Sequence, residues 1–232
     1  MPLGSSATPN LRNRKRSNVL PWTKMGYDGA KSTPQLMFIA FEGLDGSGST
    51  TQARLLAERL QRTGRAVLVT KEPTSANPVG LLIREALQHR WEVSPEGLQL
   101  LFCADRAEHL KDEILPALKD WQVVITDRYL FSTIAFGSWG VPDLEWFKQL
   151  NRLFPLPDIT FLLKLDPEEC IRRIQGRGTE FELFEKAEKL KAIWQSYEKI
   201  QAVYPNIHLI DAARNIHEIE DEIWAIVDKK LG

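Results

Sequence analysis

The segment FEGLDGSGSTTQ, residues 41–52, follows a short apolar run and precedes a long helical pattern. Residues 43–50 have the spacing G-x-x-x-x-G-[K]-[ST] of the Walker A phosphate-binding motif. Glycines let backbone amides converge on phosphate oxygens, and the N-terminus of the following helix adds a positive dipole. We therefore predict phosphate contacts along the loop from Gly43, Leu44, Asp45, Gly46, Ser47, Gly48, Ser49, Thr50 and Thr51.

One residue of this loop departs from the motif, because Ser49 occupies the position of the lysine. That lysine normally brings a full positive charge to the β- and γ-phosphates of the nucleotide, and a serine hydroxyl cannot do so. Two interpretations follow. Either another cation takes over the charge, which we favour, or the chain binds nucleotide and turns over poorly. Thr50 keeps the hydroxyl that such loops offer to Mg²⁺.

Around the loop, short apolar runs alternate with longer helical patterns. This alternation predicts an α/β fold of the P-loop NTPase type, with three layers and a five-stranded parallel sheet flanked by helices on both faces. The predicted strands are 36–41, 66–70, 121–127, 159–166 and 207–211. The predicted helices are 49–63, 79–90, 95–119, 143–153, 167–175, 184–202 and 215–230.

The charge is unevenly distributed along the 232 residues. Residues 1–35 hold six basic residues and one acidic residue, whereas residues 36–232 hold 24 basic and 30 acidic ones. A net charge of −6 excludes residues 36–232 as a general nucleic-acid-binding domain, which would need a basic surface. We interpret 1–35 as a disordered basic extension and 36–232 as one domain. The extension is either a solvated tail or an arm for an acidic partner or nucleic acid, and a further alternative is that translation starts at Met37.

The cysteine content and the hydropathy of the chain indicate its cellular location. The two cysteines, Cys103 and Cys170, lack metal-ligand spacing and predict neither a disulfide framework nor a zinc site. No apolar run approaches the roughly 20 residues that span a bilayer, and the N-terminus lacks the apolar stretch of a signal peptide. These features predict a cytoplasmic protein that has no membrane partner.

Five further motifs accompany the loop in a fixed order. They are KEPT (71–74), LFCADRAEH (101–109), TDRYLFST (126–133), PDITFLLKLDPEE (157–169) and IDA (210–212). In this order and spacing, the chain from residue 37 onward resembles the thymidylate kinase family. The resemblance implies transfer of the γ-phosphoryl group of ATP to dTMP, giving dTDP for dTTP synthesis. It also implies a requirement for Mg²⁺ and a homodimer.

The resemblance assigns roles to residues at the phosphates. Asp45 would accept a hydrogen bond from the sugar 3′-hydroxyl, and Arg128 would clamp the phosphates of donor and acceptor with its planar guanidinium. Asp127, together with Thr50, would serve Mg²⁺ or its waters. The alternatives are a turn aspartate for Asp45 and, for Asp127, a strand-end acid that pairs with Arg128.

The resemblance also implies a site for the acceptor nucleotide. Phe102 would stack on thymine, and Arg106, one helical turn later on the same face, would donate to a pyrimidine carbonyl. Packing in the core is the alternative for Phe102 and for Phe136, which would crowd the 2′ carbon. The full predicted acceptor set is Glu72 and Pro73 beside the dTMP phosphate, Phe102, Arg106, Arg128, Thr133 towards the base, and Phe136.

Arginines near residue 175 predict a closing lid. Arg172, Arg173 and Arg177 precede a glycine-flanked segment, and we place the lid at about 172–184. In one branch of the family, lid arginines reach the transferring phosphoryl group when the phosphate loop lacks an arginine. This loop has Ser47 at that position. We therefore predict Arg173 and Arg177 as catalytic residues and hypothesise that one of them covers the charge that Ser49 lacks.

Two other functions stay open from the sequence. The chain could be a kinase of another deoxynucleotide, because Phe102 and Arg106 favour a pyrimidine without separating thymine from uracil. It could also be a catalytically weak nucleotide-binding homologue, because of Ser49.

Overall fold

The computed structural model describes residues 36–120, 122–176 and 187–232. The predictions for the extension 1–35, for Arg177 and for lid residues 177–184 concern residues outside this described part.

Five strands form one parallel sheet in the order β2-β3-β1-β4-β5. All seven residues of the central strand β1 and all five of β3 are buried, which explains their uninterrupted apolar runs. The strands are β1 Met37–Gly43, β2 Val67–Lys71, β3 Val123–Asp127, β4 Ile159–Lys164 and β5 Ile207–Asp211. The predicted parallel sheet is confirmed, with differences only at the strand ends.

Helices cover both faces of this sheet, as predicted. Helix α1 packs against β1, β2, β3 and α9, whereas α5 packs against α3, α6, α8 and β1. A π-helical turn, Leu110–Ile114, joins α3 to α4. The helices are α1 Ser49–Arg62, α2 Pro78–Leu87, α3 Pro95–His109, α4 Leu115–Lys119, α5 Leu130–Gly137, α6 Leu144–Asn151, α7 Pro167–Gln175, α8 Ala187–Gln201 and α9 Ile216–Leu231.

Helix α5 was not predicted from the sequence. Seven of its eight residues are buried, and only Ser132 is half-buried. A helix that is apolar all round has no polar face, so its sequence carries no 3.6-residue periodicity to recognise. Its position matters for the site because it begins two residues after Arg128.

The start of α1 differs from the start of other helices in the fold. Helices α2, α3 and α7 each begin with a proline that follows a capping side chain, from Asn77, Ser94 and Asp166. Helix α1 instead begins after Gly48, which has a left-handed φ of 100° and provides no side-chain cap. The first amides of α1 therefore have no capping side chain, which leaves them available to an anion.

None of the helices among the described residues is both long enough and apolar enough to cross a membrane.

Helix α2 approaches the segment after β2 very closely at Gly80. A Cβ atom at Gly80 would lie 2.1 Å from the backbone oxygen of Thr74, which cannot move aside as a flexible side chain could. Thr74 is further held by Asp105 of α3, whose carboxylate accepts from its amide at 2.8 Å and from its hydroxyl at 2.6 Å. Because Gly80 has no side chain, α2 can pack closely against the loop that follows β2.

We expect Gly80→Ala to destabilise the fold by about 1–3 kcal/mol, because the added methyl overpacks against the backbone. Gly97→Ala is a matched control, since Gly97 holds the same place in α3 and its amide also donates to the capping side chain. A Cβ at Gly97 would meet only side-chain atoms, at 3.0 Å. Urea unfolding should show a lower midpoint for Gly80→Ala alone. Equal midpoints for the two variants would contradict this account.

Candidate active site

A cleft of about 700 Å³ opens at the carboxyl ends of β1, β2 and β3. Ligand sites of open parallel sheets lie at this edge, where loops from neighbouring strands converge. Its lining joins residues of the phosphate loop with residues of the proposed acceptor side. Among the residues predicted from the sequence, those that line the cleft are Asp45, Thr50, Glu72, Pro73, Phe102, Arg106, Asp127, Arg128, Thr133 and Phe136.

The phosphate loop turns sharply between β1 and α1. Gly46 has a φ of 85°, and a Cβ there would lie 2.7 Å from the carbonyl oxygen of Cys170 in α7. A glycine is required at this position for both reasons. Leu44 packs into the core, whereas the buried hydroxyl of Ser47 has no hydrogen-bond partner among the described residues. The loop is therefore wedged between the sheet and α7.

Asp127, the last residue of β3, holds the first turn of α1. One carboxylate oxygen accepts from the Ser49 hydroxyl at 2.7 Å, and the other accepts from the Thr50 hydroxyl at 2.5 Å. Burial raises the pKa of Asp127, but the charges of Lys71 and Arg128 and the hydrogen bonds from Thr50 and Ser49 outweigh it, so the pKa lies below its ordinary value. Asp127 is therefore ionised at neutral pH.

Lys71 reaches the same carboxylate from the neighbouring strand. Lys71 and Asp127 are register partners at the ends of β2 and β3, and the Lys71 ammonium lies 3.4 Å from Asp127 Oδ2. The Lys71 side chain is 56% exposed, whereas that of Asp127 is 4% exposed. Lys71 was not predicted as a site residue, although its place at a strand end was a usable signal.

Arg128 is held rigidly over the phosphate loop. Its guanidinium donates to Asp45 at 2.6 Å, to the Gly43 carbonyl at 2.9 Å and to the Ser132 hydroxyl at 3.0 Å. Burial lowers the pKa of Arg128, but the Asp45 carboxylate outweighs it and the net pKa lies above the ordinary value. The guanidinium also lies 4.8 Å from the ring centroid of Phe136. The residue has a left-handed φ of 72°, a conformation that side chains rarely adopt.

Arg106 lies in a buried polar network on the acceptor side. It is 1% exposed and donates to Glu72 at 2.7 and 2.9 Å, to Asn151 at 2.7 Å and to Thr133 at 2.8 Å. The second oxygen of Glu72 lies 3.1 Å from Nδ1 of His109. The network fixes the guanidinium at the wall of the cleft. The bond between Glu72 and Pro73 is a cis peptide.

Two phenylalanines complete the acceptor side. Phe102 is half-buried and packs against the small apolar cluster between α2 and α3. Phe136 of α5 is 9% exposed and makes an edge-to-face contact with Tyr197 of α8, with ring centroids 6.3 Å apart. Both rings keep part of their surface on the cleft, so core packing and ligand contact are compatible roles.

Glu42, near the end of β1, was also not predicted as a site residue, although it directly precedes Gly43 of the phosphate loop. Its buried carboxylate accepts from the amides of Tyr129 and Ser132, both at 3.1 Å, and from the hydroxyls of Ser132 and Tyr197. Burial raises the pKa of Glu42 to about 7, against the opposing effect of the Ser132 hydrogen bonds. Glu42 thereby ties β1, the start of α5 and α8 together behind the phosphate loop.

The lid arginines are only partly described. Arg173 donates to Glu169 at 3.0 Å, and Arg172 lies 2.7 Å from the same carboxylate. Arg172 and Arg173 therefore share one carboxylate within α7. Arg177 lies beyond the described residues of this segment.

The donor set suits a magnesium ion bound with phosphate and water. No group of three or more His, Cys, Asp and Glu residues that could hold a metal occurs in the part of the chain that the structure describes. Mg²⁺ typically uses one or two carboxylates and fills its octahedron with waters and substrate phosphates. Asp127 and the Thr50 hydroxyl, in contact at the loop, fit that need.

Comparison with known proteins agrees with this geometry. The sequence model of the family described as thymidylate kinase matches residues 41–223. A protein of Pyrococcus horikoshii named probable thymidylate kinase is 42% identical over 199 residues, covering 84% of this chain and 97% of its own length. Probable thymidylate kinases of Pyrococcus abyssi and Pyrobaculum calidifontis are 41% and 40% identical, covering 84% of this chain and 97% and 98% of their own lengths.

The family model covers the phosphate loop, the cleft and the helices around them, and the relatives match over nearly their whole length. The chain belongs to the thymidylate kinase family.

Proposed function

We propose that this protein transfers the γ-phosphoryl group of ATP to dTMP, which gives ADP and dTDP for dTTP synthesis. The observation that carries the proposal is that one cleft is lined both by the phosphate loop and by the acceptor-side residues. A donor phosphate on the loop and an acceptor phosphate near Arg128 would then lie side by side. Phosphoryl transfer requires mainly positioning and charge neutralisation, which such a cleft can provide.

Arg128 and Asp45 are the proposed catalytic pair at the phosphates. The Asp45 carboxylate holds Arg128 at 2.6 Å, and Arg128 in turn lies on the rim of the loop. When nucleotides bind, the guanidinium would bridge the phosphates of donor and acceptor, because its planar fork suits two phosphate oxygens. Asp45 would then accept from the 3′-hydroxyl of the acceptor sugar.

Thr50 and Asp127 are the proposed Mg²⁺ residues. Mg²⁺ when bound would neutralise charge on the transferring phosphates. The lowered pKa of Asp127 supports this role, because the carboxylate stays ionised without the metal. The backbone amides of residues 43–51 would hold the donor phosphates at the uncapped start of α1.

For the acceptor we propose contacts with the base, the sugar and the phosphate. Phe102 would stack on thymine, and Arg106 would donate to a ring carbonyl through the Nη1 hydrogen that it does not give to Asn151. Thr133 would face the base, Phe136 would exclude a 2′-hydroxyl, and the segment of Glu72 and Pro73 would border the phosphate. The lid arginines Arg173 and Arg177 are proposed to approach the transferring group when the lid closes.

We also propose a cytoplasmic homodimer whose core domain, residues 36–232, binds no nucleic acid and which has no membrane partner. The two free, buried cysteines are compatible with a reducing compartment. Helices α2 and α3 pack together and carry the half-exposed leucines Leu81, Leu82 and Leu100. Leucines exposed on neighbouring helices are typical of surfaces that a second subunit covers.

A coupled ADP-release assay tests the function directly. With ATP and Mg²⁺, we expect turnover of dTMP, weaker turnover of dUMP, and little of dCMP, because Arg106 would donate to a carbonyl at the position where cytosine has an amino group. We expect little turnover of dGMP, because a purine is larger than the pyrimidine for which the site is proposed. No turnover of any of the four would favour the weak nucleotide-binding homologue. Preference for another acceptor would assign a different deoxynucleotide kinase.

Phe102→Ala tests the base site. We expect kcat/KM for dTMP to fall about 5- to 150-fold, because stacking of a base on an aromatic ring is worth about 1–3 kcal/mol. The KM for ATP should stay unchanged. Leu101→Ala is the matched control, since Leu101 packs against the same cluster and is absent from the cleft lining. If kcat/KM for dTMP fell equally in the two variants, Phe102 would have a packing role only.

Light scattering after size exclusion tests the dimer. We expect about twice the chain mass of 26.5 kDa, and we expect Leu81→Glu to shift the mass towards the monomer because it places a charge in an apolar interface. Val203→Glu is the control, since Val203 is 58% exposed in the turn after α8. A wild-type mass of one chain would refute the dimer.

A further inference from the structure

The position of the missing Walker lysine has a cationic neighbour in the fold. Ser49 donates to Asp127 at 2.7 Å, and Asp127 pairs with Lys71 at 3.4 Å. The Asp127 carboxylate therefore lies between the Lys71 ammonium and Ser49, the residue that replaces the lysine. Lys71 lines the same cleft as Thr50 and Arg128.

Two other cations at the cleft, Arg128 and Arg106, are already committed to protein partners, whereas Arg84 of α2 is exposed. The Arg128 guanidinium is used by Asp45, Gly43 and Ser132. Arg106 is buried with Glu72. Lys71 differs from both because its side chain is 56% exposed. An ammonium has three hydrogens, so one ion pair leaves donors for a phosphate.

The sheet fixes where Lys71 can act. Lys71 and Asp127 are register partners in adjacent parallel strands, so their side chains leave the sheet at the same edge. Asp127 is anchored by Ser49 and Thr50 at the start of α1. The pair therefore stands beside the place where the loop would hold the terminal donor phosphate. Lys71 can re-aim because its side chain is 56% exposed, and Asp127 keeps the hydrogen bonds from Ser49 and Thr50 when the ammonium moves away.

We propose that Lys71 takes over the charge of the lysine that Ser49 replaces, by contacting the γ-phosphoryl group of ATP from the β2 side. The proposal rests on the phosphoryl transfer proposed above. An oxygen of the acceptor phosphate forms the new bond to the γ-phosphorus, the bond from that phosphorus to the β–γ bridging oxygen breaks, and ADP leaves with the electron pair. Lys71 keeps its protons and neutralises charge throughout.

This assignment differs from charge supply by the lid alone. In the described part of the lid, Arg173 pairs with Glu169, a carboxylate that it shares with Arg172. Lys71 comes from a strand end, so its position does not depend on lid closure. Lid arginines and Lys71 can act together, and the experiment below measures Lys71 separately.

A double-mutant cycle between Lys71 and Ser49 tests the proposal. We expect Lys71→Ala to lower kcat for dTMP phosphorylation about 100-fold or more, the usual loss for one preorganised charge-stabilising donor. We expect the same substitution in a Ser49→Lys background to cost less than about 10-fold, because the two lysines are then redundant. Lys71→Arg should retain most of the activity. Lys148→Ala, an exposed lysine on α6, should match wild type.

A binding measurement separates contact with phosphate from a purely structural role. Lys71→Ala should raise the Kd of a non-hydrolysable ATP analogue by about 10-fold or more, as expected for a lost charge-assisted hydrogen bond. It should leave the Kd of ADP nearly unchanged, since ADP lacks the γ-phosphate. Urea unfolding of Lys71→Ala checks that the fold persists.

Several outcomes would overturn the proposal. They are full activity of Lys71→Ala, an equal loss in both backgrounds, or an equal weakening of ADP and the ATP analogue. If the wild-type protein phosphorylates no nucleotide, the proposed function fails instead, and the comparison of ADP with the ATP analogue still decides whether Lys71 contacts the γ-phosphate.

Discussion

The carboxylate of Asp127 connects the three parts of the protein on which the site depends. Asp127 is the last residue of the buried strand β3. Its carboxylate accepts hydrogen bonds from Ser49 and Thr50 at the start of α1 and pairs with Lys71 of β2. Because the backbone of a central strand is rigid, this carboxylate places the phosphate loop relative to the sheet. The amides at the start of α1 and the Thr50 hydroxyl thereby acquire a fixed relation to each other, and the exposed Lys71 ammonium lies beside them.

Three ion pairs line the cleft, and they differ in how deeply their side chains are buried. Glu72 and Arg106 are almost fully buried, so separating them would leave an uncompensated buried charge at a cost of about 3–5 kcal/mol. Asp45 and Arg128 are half-buried, with their atoms 2.6 Å apart. Lys71 is mostly exposed. The wall of the cleft at Glu72 and Arg106 is therefore firmly held, whereas the Lys71 ammonium can change partner when an anion enters.

Glu42 supplies the support behind these pairs. Its carboxylate accepts from the amides of Tyr129 and Ser132, next to Arg128, and also from the hydroxyls of Ser132 and of Tyr197 in α8. A carboxylate with so many donors fixes the turn between β3 and α5 against β1. The left-handed backbone of Arg128 lies within this turn, where the surrounding hydrogen bonds offset its strain.

Much of the architecture could be predicted from the sequence, and the reason differs from element to element. The runs of β1, β3 and β4 are apolar because both faces of the central strands are buried, and α1, α7 and α9 alternate with a helical period because one face meets water. Helix α5 escaped prediction because it is buried on all sides. The phosphate loop was recognisable because its glycines and hydroxyls follow one another locally in the chain.

The fold class, the Walker A-like loop and the family could be recognised from the sequence alone, since they depend on local spacing and on the order of motifs. Which side chains meet depends on the tertiary structure. Lys71 and Asp127 are 56 residues apart in the chain and become neighbours through the register of β2 and β3. Glu42 and Tyr197, separated by 155 positions, meet in the core. Such pairs leave no local pattern, because parallel strand pairing and helix packing join segments that are distant in sequence.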